Sequence, residues 1–231
     1  MTPLHRHQLV RLQASGWRAL RAQAAQTALQ PCLALWEARG LPLVVGCQGA
    51  SAQARSGGEL RLGLAAPIAW QRQRLALRVD RSQVGWFDEF PLAARIEPML
   101  PRPLRASWQR LCDRLQYEGA VARVYGSHGW QALTGLPYLH PGSDIDLWIT
   151  VQDADHADAI AALLEAQAYG PMPRLDGELC FPDGSAVAWR EWRPWRSGAV
   201  RQVLVKDLGG AWLLDAGQGA ARLGRRERAA A

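Results

Sequence analysis

YGSHGW at 125–130 and SDIDL at 143–147 are the two stretches from which the fold of this chain is inferred. Residues 120–125 have the composition of a strand, which leads into a Gly-Ser turn and a short helix. The second stretch opens another strand, on which Asp144 and Asp146 share one face with Cα atoms about 6.5–7 Å apart. Two such carboxylates can bind one divalent cation or a close pair, and an exposed Gly-Ser turn can present backbone N–H groups to phosphate. The combination predicts metal-dependent transfer of a nucleotide-like group.

Each half of this pattern has a simpler explanation when it stands alone. Alternating acids occur on any half-exposed strand, where they face water, and a Ser after a strand often caps the next helix. In this order, the two halves together favour a metal–nucleotide site that holds Mg²⁺ or Mn²⁺. A triphosphate is strongly anionic, and Mg²⁺ binds through a few carboxylates together with the phosphates of the substrate.

The composition of the 231 residues indicates a sizeable core and no membrane segment. Hydrophobic residues make up 48% of the chain, yet no apolar run is long enough to span a bilayer. No apolar stretch follows the first residues, so we expect no export signal. The four cysteines lack paired spacing, which argues against disulfides and a zinc knuckle. We therefore expect a cytoplasmic protein.

A proline-rich connector at 91–103 predicts two domains, an N-terminal accessory domain at 1–100 and a catalytic domain at 105–231. Residues 1–103 contain 13 Arg against 6 acids, whereas residues 104–231 contain 14 basic residues against 15 acids. A basic surface favours an anionic partner, such as a nucleic acid, a coenzyme or an acidic protein. The preference for arginine over lysine is also what codon bias in a GC-rich genome produces.

Hydrophobic periodicity predicts an α/β (α+β) fold, in which a mixed sheet with helices follows a smaller N-terminal α/β domain. In the first half we expect a mainly helical segment at 4–38 and strands at 41–46, 60–64 and 75–79. In the second half we expect helices at 104–115, 128–133 and 157–168 and strands at 120–125, 144–151, 203–205 and 212–214. The turn at 182–184, Pro-Asp-Gly, predicts a hairpin between strands at 179–181 and 186–192.

The order of strand, Gly-Ser, helix and Asp-x-Asp strand resembles the nucleotidyltransferase superfamily of the DNA polymerase β type. The longer run YGSxxWQxLTGLxYL at 125–139, before SDxDL at 143–147, is similar to a narrower family. That family comprises the malonate decarboxylase holo-acyl-carrier-protein synthases, also called phosphoribosyl-dephospho-CoA transferases. The resemblance is dense over 121–150 and continues loosely through FPDGxAVAWRE at 181–191. Sixteen residues separate Ser127 from Asp144, a longer loop than is common in the superfamily.

The resemblance implies a specific reaction. A serine of the apo acyl carrier protein of malonate decarboxylase attacks the α-phosphate of triphosphoribosyl-dephospho-CoA, and pyrophosphate leaves. Asp144 and Asp146 are then the catalytic metal ligands, and Gly126 and Ser127 bind the leaving phosphates. The superfamily often adds a third carboxylate from a later strand, for which Glu191 is the first choice.

Other interpretations stay open at this point. Glu178 is the alternative third carboxylate, and Lys206 is either a phosphate contact or a surface lysine that extends into water. The same metal chemistry also serves transfer to another acceptor, such as an aminoglycoside or a nucleic-acid end. A non-catalytic nucleic-acid binder would use the arginine-rich first half, but no RNA or DNA motif is visible, so nucleic acid is not an expected partner.

Overall fold

A computed structural model describes residues 4–24, 27–49, 58–168, 173–219 and 223. The chain divides into two compact units. The first comprises Met1–Phe90, Leu133–Tyr138 and Leu208–Gly210, and the second comprises Pro91–Ala132, Leu139–Asp207 and Ala211–Ala231. Among the described helices, none combines the length and the apolar character that crossing a bilayer requires.

The first unit is built on a five-stranded antiparallel sheet with the order β4-β3-β2-β1-β5. Its strands are β1 (Leu9–Leu12), β2 (Leu43–Val45), β3 (Glu59–Ala65), β4 (Arg74–Asp80) and β5 (Val84–Asp88). Its helices are α1 (Ala14–Gln23) and α2 (Gln30–Ala38), with short 3₁₀ turns at Ile68–Trp70 and Arg81–Gln83. In β3 the leucines at 60, 62 and 64 are buried and alternate with more accessible residues, which gives the sheet one apolar face.

One prediction for the first unit was right only in part. The segment 4–38 was expected to be mainly helical, and it contains α1 and α2, but Leu9–Leu12 form β1, in the interior of the sheet. The leucine spacing around this segment also suits a helix. The strand forms because β2 and β5 lie on its two sides and satisfy its backbone groups.

The second unit contains a six-stranded mixed sheet with the order β11-β10-β9-β8-β7-β6. Its strands are β6 (Ala122–Tyr125), β7 (Ile145–Thr150), β8 (Leu175–Cys180), β9 (Ala186–Ala188), β10 (Gln202–Lys206) and β11 (Ala211–Asp215). The helices are α3 (Arg102–Tyr117), α4 (Gly126–Thr134, whose last two residues belong to the first unit), α5 (Ala154–Ala168) and α6 (Trp189–Arg196), with 3₁₀ turns at Ala93–Met99 and Ala216–Gln218. Strands β7 and β8 are parallel and the other neighbours antiparallel, which confirms the predicted α+β class.

The core of the second unit lies on one face of its sheet. Ile145, Leu147 and Ile149 of β7 are buried there, and helices α3 and α5 contribute further apolar side chains to the same core. Burying each such side chain contributes roughly 1.5–3 kcal/mol, so the alternation of β7 is strongly specified. Asp146 and Trp148 consequently point to the opposite face, as the sequence predicted.

The predicted strand at 186–192 is also wrong in its second half. The hairpin forms between β8 and β9, but β9 ends at Ala188 and the chain turns into α6. Trp189, Trp192 and Trp195 recur every third residue and are all buried, which is the spacing of a helical face rather than of a strand. The Trp192 Nε1–H donates to Asp158 of α5 at 2.7 Å, which ties α6 to that helix.

Candidate active site

The Gly-Ser turn lies directly against the acidic strand. Tyr125 ends β6, and Gly126 begins α4 with a φ of +60° that favours glycine. A Cβ atom at position 126 would collide with the Asp146 carboxylate, because Tyr125 and Asp146 are cross-strand neighbours. Glycine at 126 therefore allows both the turn and the close approach. The structure brings Gly126 together with Asp146, and Ser127 follows it in the first turn of α4.

Helix α4 is also joined to the start of β7. His128 is buried, and its Nδ1 atom donates to the carbonyl oxygen of Asp144 at 2.9 Å. The carbonyl only accepts, so Nδ1 carries a hydrogen, and burial lowers the imidazole pKa. This bond fixes the backbone from which the Asp144 side chain projects. The carboxylate itself remains about one-third exposed, at 33%.

A third carboxylate, which the sequence analysis missed, completes this acidic group. In the parallel register of β7 and β8, Asp176 is the neighbour of Asp146, across strands about 4.8 Å apart. We call Asp144, Asp146 and Asp176 the acidic patch. The sequence signal was present as acid-Gly-acid at 176–178, but the strand was expected to begin only at residue 179.

Burial and charge act together on the acidic patch. Burial is the larger cause, and the neighbouring Asp176 and Asp144 add to it, so that the pKa of Asp146 rises to about 6. The Arg174 guanidinium opposes this shift. Its nitrogens lie 3.4 Å from Asp144 Oδ2 and 3.7 Å from Asp176 Oδ2. The patch therefore concentrates negative charge that a cation would relieve.

Gly177 allows β8 to present Asp176 in this position. Its φ is +133°, and a Cβ atom there would collide with the backbone of Leu147 in the adjacent strand. The Gly177 N–H donates to Asp176 Oδ1 at 2.8 Å, which orients the carboxylate. Both the backbone conformation at residue 177 and its contact with the adjacent strand therefore favour glycine.

Glu178, the alternative third carboxylate, is engaged elsewhere. It is only 4% exposed, and the Lys206 ammonium donates to its Oε1 at 3.0 Å. Lys206, in β10, therefore neutralises a buried acid rather than simply extending into water. Burial, followed by the charges of Glu178 and Asp146, raises the pKa of Tyr125, so that its hydroxyl keeps its proton.

The premise for choosing Glu191 was wrong. It was placed on the strand after the hairpin, but it lies in the first turn of α6 and is exposed to solvent. Within the described ranges, no three His, Cys, Asp or Glu side chains are grouped so that they could hold one metal ion. Glu191 therefore does not join Asp144 and Asp146 in such a group.

The chemistry of the acidic patch nevertheless fits a divalent cation. Its donors are carboxylate oxygens, which Mg²⁺ and Mn²⁺ prefer, and burial together with neighbouring like charge already raises the pKa of Asp146. Mg²⁺ is typically held by one or two carboxylates together with substrate phosphates, so a closed set of three protein ligands is not required. Asp144 and Asp146 are the pair that would hold it.

Comparisons with known proteins give the same family for both parts of the chain. The family model "Phosphoribosyl-dephospho-CoA transferase MdcG C-terminal domain" matches residues 91–216, and the corresponding N-terminal domain model matches residues 5–90. A phosphoribosyl-dephospho-CoA transferase of Xanthomonas campestris pv. campestris (strain 8004) is 38% identical over 213 residues, covering 90% of this chain and 93% of the relative. One of Bradyrhizobium diazoefficiens is 34% identical over 220 residues, covering 92% and 91%. No solved structure matches the chain.

Proposed function

Because the chain belongs to the family of phosphoribosyl-dephospho-CoA transferases, we propose that it modifies the apo acyl carrier protein of malonate decarboxylase. The donor is triphosphoribosyl-dephospho-CoA, the acceptor is a carrier serine, and pyrophosphate is released. The observation that carries the proposal is the contact of the Gly-Ser turn with the Asp146 carboxylate, beside Asp144 and Asp176. The groups proposed to bind phosphate and the groups proposed to bind the cation are thus neighbours.

In the proposed reaction the carrier serine Oγ forms a bond to the α-phosphorus, and the bond from that phosphorus to the pyrophosphate oxygen breaks. The serine proton passes to water, and the negative charge moves to the leaving pyrophosphate. A divalent cation, when bound, neutralises triphosphate charge and lowers the pKa of the attacking hydroxyl. Asp144 and Asp146 would hold that cation, and the turn at Gly126 and Ser127 would position the leaving phosphates through backbone N–H groups.

Asp176, rather than Glu191, is the third carboxylate beside the proposed cation in this proposal, where it adds negative charge without being a third ligand. Its carboxylate lies beside Asp146 in the strand register, whereas Glu191 is exposed on a helix. Arg174, which contacts both Asp144 and Asp176, holds these side chains together when no cation is bound. When phosphate enters, the same guanidinium is placed to contact an oxygen, because a planar guanidinium pairs well with phosphate.

We propose a cytoplasmic location for this reaction. The four cysteines, all within the described ranges, are free thiols, which is usual for proteins of a reducing compartment.

The proposal is tested by mass spectrometry of the carrier protein after incubation with enzyme, Mg²⁺ and triphosphoribosyl-dephospho-CoA. The carrier should gain one phosphoribosyl-dephospho-CoA group on a serine, and a carrier with that serine changed to alanine should gain none. Parallel reactions supply nucleoside triphosphates with an aminoglycoside or an oligonucleotide as acceptor. Modification of one of those acceptors, with an unchanged carrier, would replace this proposal by its rival.

A further inference from the structure

A cavity of about 490 Å³ adjoins the acidic patch in the second unit. One wall is aliphatic and comes from the end of the 3₁₀ turn before α3, the first turn of α3 and the loop before β7. The edge nearest the patch is charged. The residues that matter here are Met99, Leu100, Leu104 and Leu139 on the wall and Asp144 and Arg174 at the edge.

We propose that this cavity binds the purine nucleoside of the transferred group, with the base against the aliphatic wall. The inference rests on the proposed function and adds to it the part of the protein that recognises the coenzyme. No role in the proposed phosphoryl transfer requires an aliphatic surface next to Asp144. A ligand that is anionic at one end and apolar at the other therefore fits this cavity.

Asp144 connects the cavity to the reacting phosphorus. It lines the cavity and is also one of the two residues proposed to hold the cation at the triphosphate. The leaving pyrophosphate is assigned to the turn at Gly126 and Ser127, where Gly126 approaches Asp146. The sugar that stays bonded to the α-phosphorus lies neither toward that pyrophosphate nor opposite it, where the serine enters, and in this proposal it extends on the Asp144 side, where the cavity begins.

The order of groups in the coenzyme selects the nucleoside over the pantetheine arm. From the reacting phosphorus, a ribose comes first, then the adenosine of dephospho-CoA, then a diphosphate, and the pantetheine arm comes last. The fragment nearest to Asp144 is consequently sugar and purine. The volume falls within the roughly 300–1,000 Å³ range of small-molecule sites, which are mostly apolar with a few polar groups.

Arg174 provides the polar edge that such a ligand needs. Its guanidinium is held by Asp144 at 3.4 Å and by Asp176 at 3.7 Å. A planar guanidinium can stack on an aromatic ring as well as pair with phosphate, whereas the aliphatic wall covers a base without selecting its orientation. The cavity is therefore expected to distinguish a nucleotide from a sugar phosphate.

The test compares two ligands that differ only by the base. Isothermal titration calorimetry with Mg²⁺ measures the affinity of adenosine 5′-monophosphate and of ribose 5-phosphate for the full-length protein. The wild type should bind the nucleotide about tenfold more tightly, since an apolar pocket typically discriminates by this order. Leu104→Trp fills the cavity and should reduce the ratio to near one. Leu104 is only partly buried, so the larger ring does not enter the core.

Leu213→Trp is the matched control, because Leu213 is 58% exposed on β11 and does not line the cavity. It should leave the ratio unchanged, and circular dichroism should show both variants folded.

Pantetheine 4′-phosphate should bind both variants alike. The proposal is overturned if the wild type shows no preference for the nucleotide, if Leu104→Trp keeps the preference, or if that variant loses pantetheine phosphate instead. Since no carrier is present, this binding measurement does not depend on transfer to the carrier, so failure of the cavity assignment and failure of the proposed function give different results.

Discussion

At the scale of single residues, the site depends on carboxylates that the fold holds closer together than they would lie in water. Asp146 illustrates this, because Tyr125, Asp176 and the position of Gly126 all border its side chain. The arrangement is unfavourable for an anion on its own and favourable for one that shares a cation. Catalytic and stability effects of the same substitution should therefore differ in sign.

Asp144→Asn and Asp146→Asn should each reduce transfer by at least about 10²-fold, because Asn preserves the shape but loses the charge that would bind the cation. Turnover is measured by carrier mass with Mg²⁺ in excess, and circular dichroism checks the fold. A near-wild-type rate for either variant would remove that residue from the catalytic role.

Asp176→Asn should slow transfer far more than Glu191→Gln. Asp176 borders Asp146, whereas Glu191 is exposed on α6 and serves as the matched acidic control. The measurement is the Mg²⁺ concentration required for half-maximal rate, which should rise for Asp176→Asn and stay constant for Glu191→Gln. If the Mg²⁺ concentration required for half-maximal rate stays constant for Asp176→Asn as well, Asp176 has no part in the site.

The raised pKa of Asp146 predicts a pH-dependent stability in the absence of metal. The folded protein favours the protonated carboxyl, so this contribution to stability is present below the usual pKa of 3.8 and is lost as pH rises through about 6. In EDTA at pH 8, Asp146→Asn should therefore raise the free energy of unfolding by about 1–2 kcal/mol, after allowance for partial solvent screening. Urea unfolding at pH 4.5 and pH 8 measures it. A gain of equal size at both pH values would contradict the prediction.

At the scale of elements, the parallel pair β7–β8 is what assembles the acidic patch. Helix α5 connects the two strands, and their register places Asp176 beside Asp146 and Glu178 beside Trp148. A shift of β8 by one residue would turn Asp176 into the core and Leu175 out of it. The register is therefore protected by the same apolar burial that stabilises the unit.

Gly177→Ala should destabilise the protein more than Gly184→Ala. Both glycines have positive φ, +133° and +87° respectively. Only at Gly177 would a Cβ atom collide with another strand, while nothing lies within 4 Å of the corresponding atom at Gly184. Backbone strain alone costs about 1–3 kcal/mol, and the collision adds to it at residue 177. Urea unfolding of the two variants measures the difference; equal losses would show that β8 accommodates the methyl group.

At the scale of the whole molecule, charge is divided unequally along the chain. Residues 1–103 have 13 arginines and 6 acids, and acyl carrier proteins typically have acidic surfaces. Exposed charges are screened beyond about 8 Å at physiological ionic strength. If the basic half binds the carrier, added salt should slow the association of enzyme and carrier more than it slows the chemical step.

The Michaelis constant for the carrier should consequently rise with salt much faster than that for the coenzyme. Arg72→Glu and Arg74→Glu, at exposed positions of the first unit, should have the same effect. Arg110→Glu is the control, because Arg110 is exposed on α3 of the second unit. A carrier Michaelis constant that is constant from low to high salt, and unaffected by the first two substitutions, would show that these arginines serve solubility alone.

The sequence by itself determined the elements whose signals are local. The alternation of residues 144–151, the Gly-Ser turn and the Asp-x-Asp pair were all predicted, because side-chain periodicity and turn chemistry are written in neighbouring residues. The family also followed from those residues, and the match of both domain models confirmed it. What local signals cannot specify is which distant strand completes a hydrogen-bond ladder.

The tertiary structure decided the parts that depend on such distant partners. Asp176 is 30 positions from Asp146 and reaches it only through the parallel pairing of β8 with β7. Leu9–Leu12 form a strand because they pair with β2 on one side and β5 on the other. Glu191 lies on a helix because a helical backbone places three neighbouring tryptophans on one buried face. The ion pair between Lys206 and Glu178 likewise depends on the position of β10 in the sheet. In each case the deciding free energy comes from backbone pairing or burial between residues far apart in the chain, which no local pattern contains.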